Sequence, residues 1–200
     1  MKKASDSLLG SAMQWILFAV FCLSLCACKP DYTPKPSGFF RIETGENNYQ
    51  PYAEDLPCQF LYSTKAKIET LQADKENENW FNITYPSFNA RIYCSYLKIK
   101  PDDFIAAAED SRKFVYRHSV KANNIEMELF SNEDKRTSGT LYIIEGNVAS
   151  PLQFTLSDSI SCFFRGALYF NEAVKPDSVA PVVEFIHRDI KELMESFTNK

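Results

Sequence analysis

Few residues in this chain have the type and spacing to do chemistry. Its two histidines are His118 and His187. His118 follows a predicted helix and His187 sits beside Ile186 on another; both read as surface residues, and neither belongs to an HExxH, GxSxG or Cys-His arrangement. The acidic pairs Asp102-Asp103 and Glu133-Asp134 fall at a predicted helix start and a hairpin tip. They are too few and too scattered for a calcium loop, which needs more oxygen ligands at fixed spacing. The glycines are scattered, so no phosphate-cradling loop forms. Cys58, Cys94 and Cys162 lack CxxC spacing and nearby ligands for zinc. Three thiols permit at most one disulfide, and they read mainly as small buried hydrophobes. No catalytic residue, cofactor site or metal site is predicted, and the chain is not read as an enzyme. Asn82-Ile83-Thr84 has the form of a glycosylation acceptor, a weak signal.

Two residues stand apart, and the first is Cys28. Lys2 and Lys3 precede an uncharged apolar stretch from Met13 to Ala27. At 1.5 Å per residue it reaches about 22 Å, short of a hydrocarbon core of about 30 Å. A basic start, a short apolar centre and a small residue at the end read as a signal peptide. The end, Leu25-Cys26-Ala27-Cys28, looks like a bacterial lipobox, with Leu at -3, a small residue at -1 and Cys at +1. Cleavage before Cys28 exposes a thiol and an amine for acylation, palmitate included. Each buried methylene contributes about 0.8 kcal/mol, so two or three chains anchor a protein to a membrane almost permanently. Pro30, Pro34 and Pro36 follow. Proline-rich chain favours polyproline II, about 3.1 Å per residue, so residues 29–37 reach roughly 25–30 Å. The predicted organisation is a signal peptide at 1–27, a lipidated cysteine and tether at 28–37, and one globular domain at 38–200.

The second is Arg165, the one charge inside the apolar run Cys162–Phe170. Burying it unpaired costs several kcal/mol. It is either paired structurally with a carboxylate such as Asp158 or Asp177, or it is a pocket residue contacting a partner or an anionic ligand. Gly166 follows it, and a glycine within a strand marks a close approach.

The elements that position these residues follow from periodicity. Strands are predicted at Gln59–Glu69, Asn79–Tyr85 and Phe88–Lys98, with a turn at Pro86-Ser87. A helix spans 101–117, started by Pro101 and the two aspartates, with Phe104, Ile105, Ala108 and Val115 on one face. Asn123-Asn124 ends it. Ile125, Met127 and Leu129 alternate with glutamates, the mark of a half-buried strand. Thr140–Glu145 returns as its hairpin partner, Leu152–Leu156 follows, and Cys162–Phe170 is the central strand. A last helix is capped by Asp177 or Ser178, with Pro181 in its first turn. Its apolar stripe runs through Val179, Val183, Ile186, Ile190, Leu193 and Phe197, and Glu184 pairs with Arg188 on its polar side. Phe39–Pro57 reads as a loop-rich lead-in. The order β-β-β-α-β-β-β-β-α has connections too short for parallel crossovers. It implies an α+β fold, a mainly antiparallel sheet covered by two main helices, with an element order like that of the Mog1/PsbP-like fold.

The 200 residues suit one domain with short tails, and 45% hydrophobic with 24% charged residues suits a packed core. The net charge of -4 argues against a nucleic-acid binder. The segments TPKPSGFFRI (33–42), YPSFNARI (85–92), PLQFTLSDS (151–159), FFRGALYF (163–170) and DSVAPVVEFIHRDIKELM (177–194), with the Cys28-Lys29 pair, resemble the gliding-motility lipoprotein GldD family of Bacteroidetes. That resemblance implies a cell-envelope lipoprotein, an accessory or stabilising component of the gliding and type IX secretion machinery, with other envelope lipoproteins as partners and no reaction of its own. Lys29 at +2 lacks the acid that retains some lipoproteins at the inner membrane, which points to the outer membrane, facing the periplasm. The alternative is a PsbP-like envelope module that binds a small ligand or a protein near Arg165 and is unrelated to movement.

Overall fold

Period-two alternation of large apolar and polar side chains organises most of this chain into strands. The computed structural model describes residues 42–52, 56–72, 76–117, 119–172 and 174–200. Within them lie β1 (Tyr49–Tyr52), β2 (Cys58–Ser63), β3 (Lys67–Leu71), β4 (Glu78–Tyr85), β5 (Ala90–Lys98), α1 (Phe104–Arg117), β6 (Ala122–Asn132), β7 (Thr137–Gly146), β8 (Leu152–Ser157), β9 (Cys162–Phe170), α2 (Pro176–Ser196) and β10 (Thr198–Asn199). The class is α+β. A seven-stranded sheet runs β3-β4-β5-β9-β8-β7-β6, antiparallel throughout, beside a small sheet β1-β2-β10. The central-strand expectation for Cys162–Phe170 is met: β9 is fourth of seven.

The topology places the two helices. β5 is third in the sheet and β6 is the far edge, so the chain carrying α1 must cross over the face of the intervening strands. The meander β6-β7-β8-β9 then leads back to β5. Alternation gives the sheet two unlike faces. The inner face carries Phe81 and Ile83 of β4, Phe154 of β8 and Phe164 of β9, all buried with α2's Phe185, Ile186, Ile190 and Leu193 in one core. Phe164 is ringed by Phe81, Phe154, Phe197 and Phe60, with centroids 5.3–6.1 Å away. The outer face carries Trp80, Asn82 and Thr84 of β4, Gln153 and Thr155 of β8, and Arg165 and Ala167 of β9. There α1 lies, with only Ser111 and Val115 fully buried.

Several sequence expectations are corrected. The strand predicted over 59–69 is two strands in different sheets, because a turn at Thr64-Lys65 reverses the chain; the amide of Ala66 donates to Ser63 O at 3.0 Å. The lead-in contains β1, which pairs with β2; Phe39 and Phe40 lie outside the described residues. Asn123-Asn124 does not follow a helix end as a breaker but forms an irregularity at the start of β6. On that edge strand Met127 and Leu129 are the exposed set, at 55% and 86%, because no second layer covers them. Ile105 is likewise exposed; the buried stripe of α1 runs through Phe104, Ala108, Ser111 and Val115 instead. α2 begins at Pro176 after Lys175, with no side-chain cap, and Pro181 lies in its second turn. Its buried stripe also takes in Val182, Phe185, Asp189 and Met194. The Glu184–Arg188 pair is present at 4.0 Å.

Candidate functional site

β9 sends alternate residues to opposite faces, so Arg165 and Ala167 point to the outer face while Phe164, Gly166 and Leu168 point inward. Gly166 is required by the inner face: a Cβ there would lie 2.3 Å from the Phe154 ring and 3.1 Å from Ile92. The close approach expected at this glycine is made by a side-chain ring. On the outer side, α1 spans the sheet without sealing it, and a cleft of about 460 Å³ opens beside it. Trp80, Tyr93, Tyr169 and Phe114 wall it, and Ala167 leaves its floor low.

Arg165 is half-exposed at this cleft. Its Nε donates to Ser95 Oγ at 3.0 Å, directly across the β5–β9 register. Its guanidinium lies 4.7 Å from the centroid of the Phe114 ring on α1. The nearest carboxylate is Asp110 of α1, at 3.8 Å, beyond hydrogen-bond reach. Neither carboxylate named from the sequence is its partner. Asp158 accepts the amides of Ile160, Ser161 and Cys162 at 3.0, 2.8 and 3.0 Å within its own turn. Asp177 lies in the first turn of α2, the helix on the opposite face.

Register places further polar groups along the same face. Asn82, Tyr93, Ala167, Gln153 and Tyr142 form one row across β4, β5, β9, β8 and β7. Asn82 is 3% exposed and Gln153 is 7% exposed. Among the described residues, Asn82 Oδ1 and Gln153 Nε2 have no hydrogen-bond partner, nor do Thr84 Oγ1 and Arg91 Nε on the same face. Buried polar atoms are normally partnered, because leaving one unpaired costs about 1–3 kcal/mol. A second cleft, about 530 Å³, lies on the other side of α1 against β6–β8, without Arg165 or these two amides. Burial raises the phenols of Tyr142 and Tyr169, so both stay neutral donors.

The other sequence candidates lie elsewhere. Cys28 and His118 fall outside the described residues. His187 is on α2, with Nε2 at 3.3 Å from Glu128 of β6, and does not line the outer cleft. Cys58, Cys94 and Cys162 are all free and buried, so none is in a disulfide. Burial pushes the Cys58 and Cys162 thiols up to about 12 and Cys94 upward as well, the environment of an unreactive thiol. Among the described residues no group of three or more His, Cys, Asp or Glu is gathered to hold a metal ion, and no helix is long and apolar enough to cross a membrane. Asn82 is no accessible acceptor: it is buried mid-strand. Reading the sequence missed Asn82, Gln153 and Phe114 as cleft residues. The available signal was the polar alternation Asn82-Thr84 and Gln153-Thr155, which ordinarily means a solvent-facing side.

Comparison with known proteins gives the chain its relatives. No curated protein matches it. Among solved structures it is similar to cyanobacterial PsbP from Synechocystis sp. PCC 6803, with 15% identity, 84% of this chain and 99% of that chain covered, and a TM-score of 0.44. The family model described as gliding motility lipoprotein GldD matches residues 29–199. The chain therefore belongs to the gliding motility lipoprotein GldD family.

Proposed function

We propose that this protein is a lipid-anchored, non-enzymatic accessory component of the gliding and linked type IX secretion machinery. In this reading Cys28 is acylated, residues 28–37 form the tether, and the 38–200 domain works by contacting neighbouring envelope lipoproteins from the outer membrane, facing the periplasm. The observation that supports it most is the family match, which begins at Lys29, immediately after the lipobox cysteine.

Deleting the gene and blotting the envelope for its other lipoproteins tests the accessory role. Reduced partner levels with impaired secretion are expected; unchanged levels with intact secretion would refute it. Cys28→Ala tests the anchor. An unprocessed or mislocalised precursor is expected, and a variant still acylated and fractionating normally would show that another cysteine carries the lipid.

A further inference from the structure

We propose that the cleft beneath α1 is a binding site for a small carboxylate with an apolar, planar body. Three observations meet there, and none depends on the accessory reading above. Arg165 supplies the charge. Its Nε is committed to Ser95 and its guanidinium carbon lies over the Phe114 ring, two contacts that hold the guanidinium in place. Among the described residues its two terminal nitrogens donate no hydrogen bond, and the one carboxylate within 4 Å, Asp110, is 3.8 Å away. A planar fork whose outer nitrogens make no hydrogen bond, one of them only a 3.8 Å ion pair, matches a carboxylate bidentately.

The second observation is the pair of unpartnered amides. Asn82 and Gln153 line the cleft, both residues more than nine-tenths buried; among the described residues nothing partners the acceptor Asn82 Oδ1 or the donor Gln153 Nε2, both of which are buried. They stand three strand spacings apart in one row, about 14 Å at ~4.8 Å per step. Four of the six unpartnered buried side-chain atoms among the described residues lie on this face of the sheet. The opposite face, also covered by a helix, instead surrounds its buried carboxylate with donors. Rotation of either amide toward an occupant bearing a hydroxyl or amide beyond its carboxylate would give these groups partners.

The third is shape. Ala167 is the small residue between the two amides, and aromatic side chains stand around it. The volume, about 460 Å³, lies within the roughly 300–1,000 Å³ of small-molecule sites, and an apolar wall with a few convergent polar groups is their usual lining.

The probe for this is 4-benzoylbenzoate, an aromatic carboxylate that crosslinks on irradiation. Its uncharged twin, 4-benzoylbenzamide, is the control. Both are applied to the full chain in dodecyl maltoside micelles, and labelled peptides are located by mass spectrometry. The benzoate should label peptides bearing Tyr93, Phe114 or Ala167, at least tenfold more than the benzamide does. Arg165→Met should remove that tenfold preference and leave benzamide labelling unchanged. Ala167→Phe, which fills the floor, should abolish labelling by both. Circular dichroism checks that each variant is folded, and Arg165→Met decides the matter if Ala167→Phe is not. Labelling spread over the surface, equal labelling by the two probes, or a benzoate preference that survives Arg165→Met would overturn the proposal.

Discussion

The two faces of the seven-stranded sheet are both covered by a helix, yet they are built on opposite principles. On the inner face, α2 buries seven residues along its length, and the aromatic rings around Phe164 leave little room. Its one buried charge among the described residues, Asp189, accepts from Asn47 Nδ2 at 2.6 Å and from the Tyr85 hydroxyl at 3.0 Å. On the outer face, α1 buries two residues, clefts flank it on both sides, and buried amides lack partners. A helix that seals a sheet stabilises it; a helix that bridges it leaves surface for something else. The inner face holds the fold, and the outer face leaves a cleft beside its helix.

The largest way to break this contrast is to cut the inner face. Phe164→Ala removes a fully buried ring that touches four others. Large-to-small changes of this kind cost about 3–5 kcal/mol. A urea midpoint lowered by less than the equivalent of 1 kcal/mol would mean that the inner face is not the main source of stability.

How far the sequence alone leads differs between the faces for the same reason. Inner-face residues announce themselves: Phe81, Ile83, Leu152, Phe154, Phe164 and Leu168 are large and recur at period two, so the strands and the central place of β9 were legible. Arg165 was legible as an outlier. Its partners were not, because Ser95 comes from β5 and Phe114 from α1, a juxtaposition that only the long crossover creates. Polar residues facing a helix look identical in sequence to polar residues facing water, so Asn82 and Gln153 carried no sign of burial. The exposure of Met127 and Leu129 on β6 is hidden likewise, because alternation shows that a strand has two sides without showing which one is covered. The turn at Thr64-Lys65 contains neither glycine nor proline, so nothing in its composition marked it.

A second contrast sharpens the first through two aspartates of opposite behaviour. Burial raises the Asp189 carboxyl, although hydrogen bonds from Asn47 and Tyr85 work against it. Its contribution is then full below the ordinary carboxylate value of about 3.9 and is lost as pH rises through its raised value. Burial also acts to raise Asp158, but the Ser161 hydroxyl and the amides of Ser161, Cys162 and Ile160 outweigh it and hold it well below the usual range. Its contribution is present above the ordinary value and is lost as pH falls toward its lowered one. Asp189→Ala leaves its donors, Asn47 and Tyr85 among them, without their acceptor and should cost about 2–4 kcal/mol, more at pH 4 than at pH 7. Asp158→Asn, at a partly exposed turn, should cost about 1–2 kcal/mol at pH 7 and progressively less toward pH 2.5. Urea midpoints at the three pH values separate the windows, and a cost of Asp189→Ala that grows from pH 4 to pH 7 would contradict the assignment.

The smallest expected effect is the one that discriminates most. If the outer face contributed to the fold as the inner face does, removing its charge would be expensive. Arg165 makes one hydrogen bond to Ser95, stacks on Phe114, and meets an exposed carboxylate at 3.8 Å. Exposed ion pairs contribute about 0–1 kcal/mol, and methionine keeps an unbranched apolar side chain at the same half-exposed position. Arg165→Met should therefore change stability by less than about 1 kcal/mol in the same urea titration. A loss approaching that of Phe164→Ala would make Arg165 a structural element of the sheet and close the contrast between the faces. A stable variant that no longer distinguishes a carboxylate from its amide would locate the charge where the outer face uses it, in recognition.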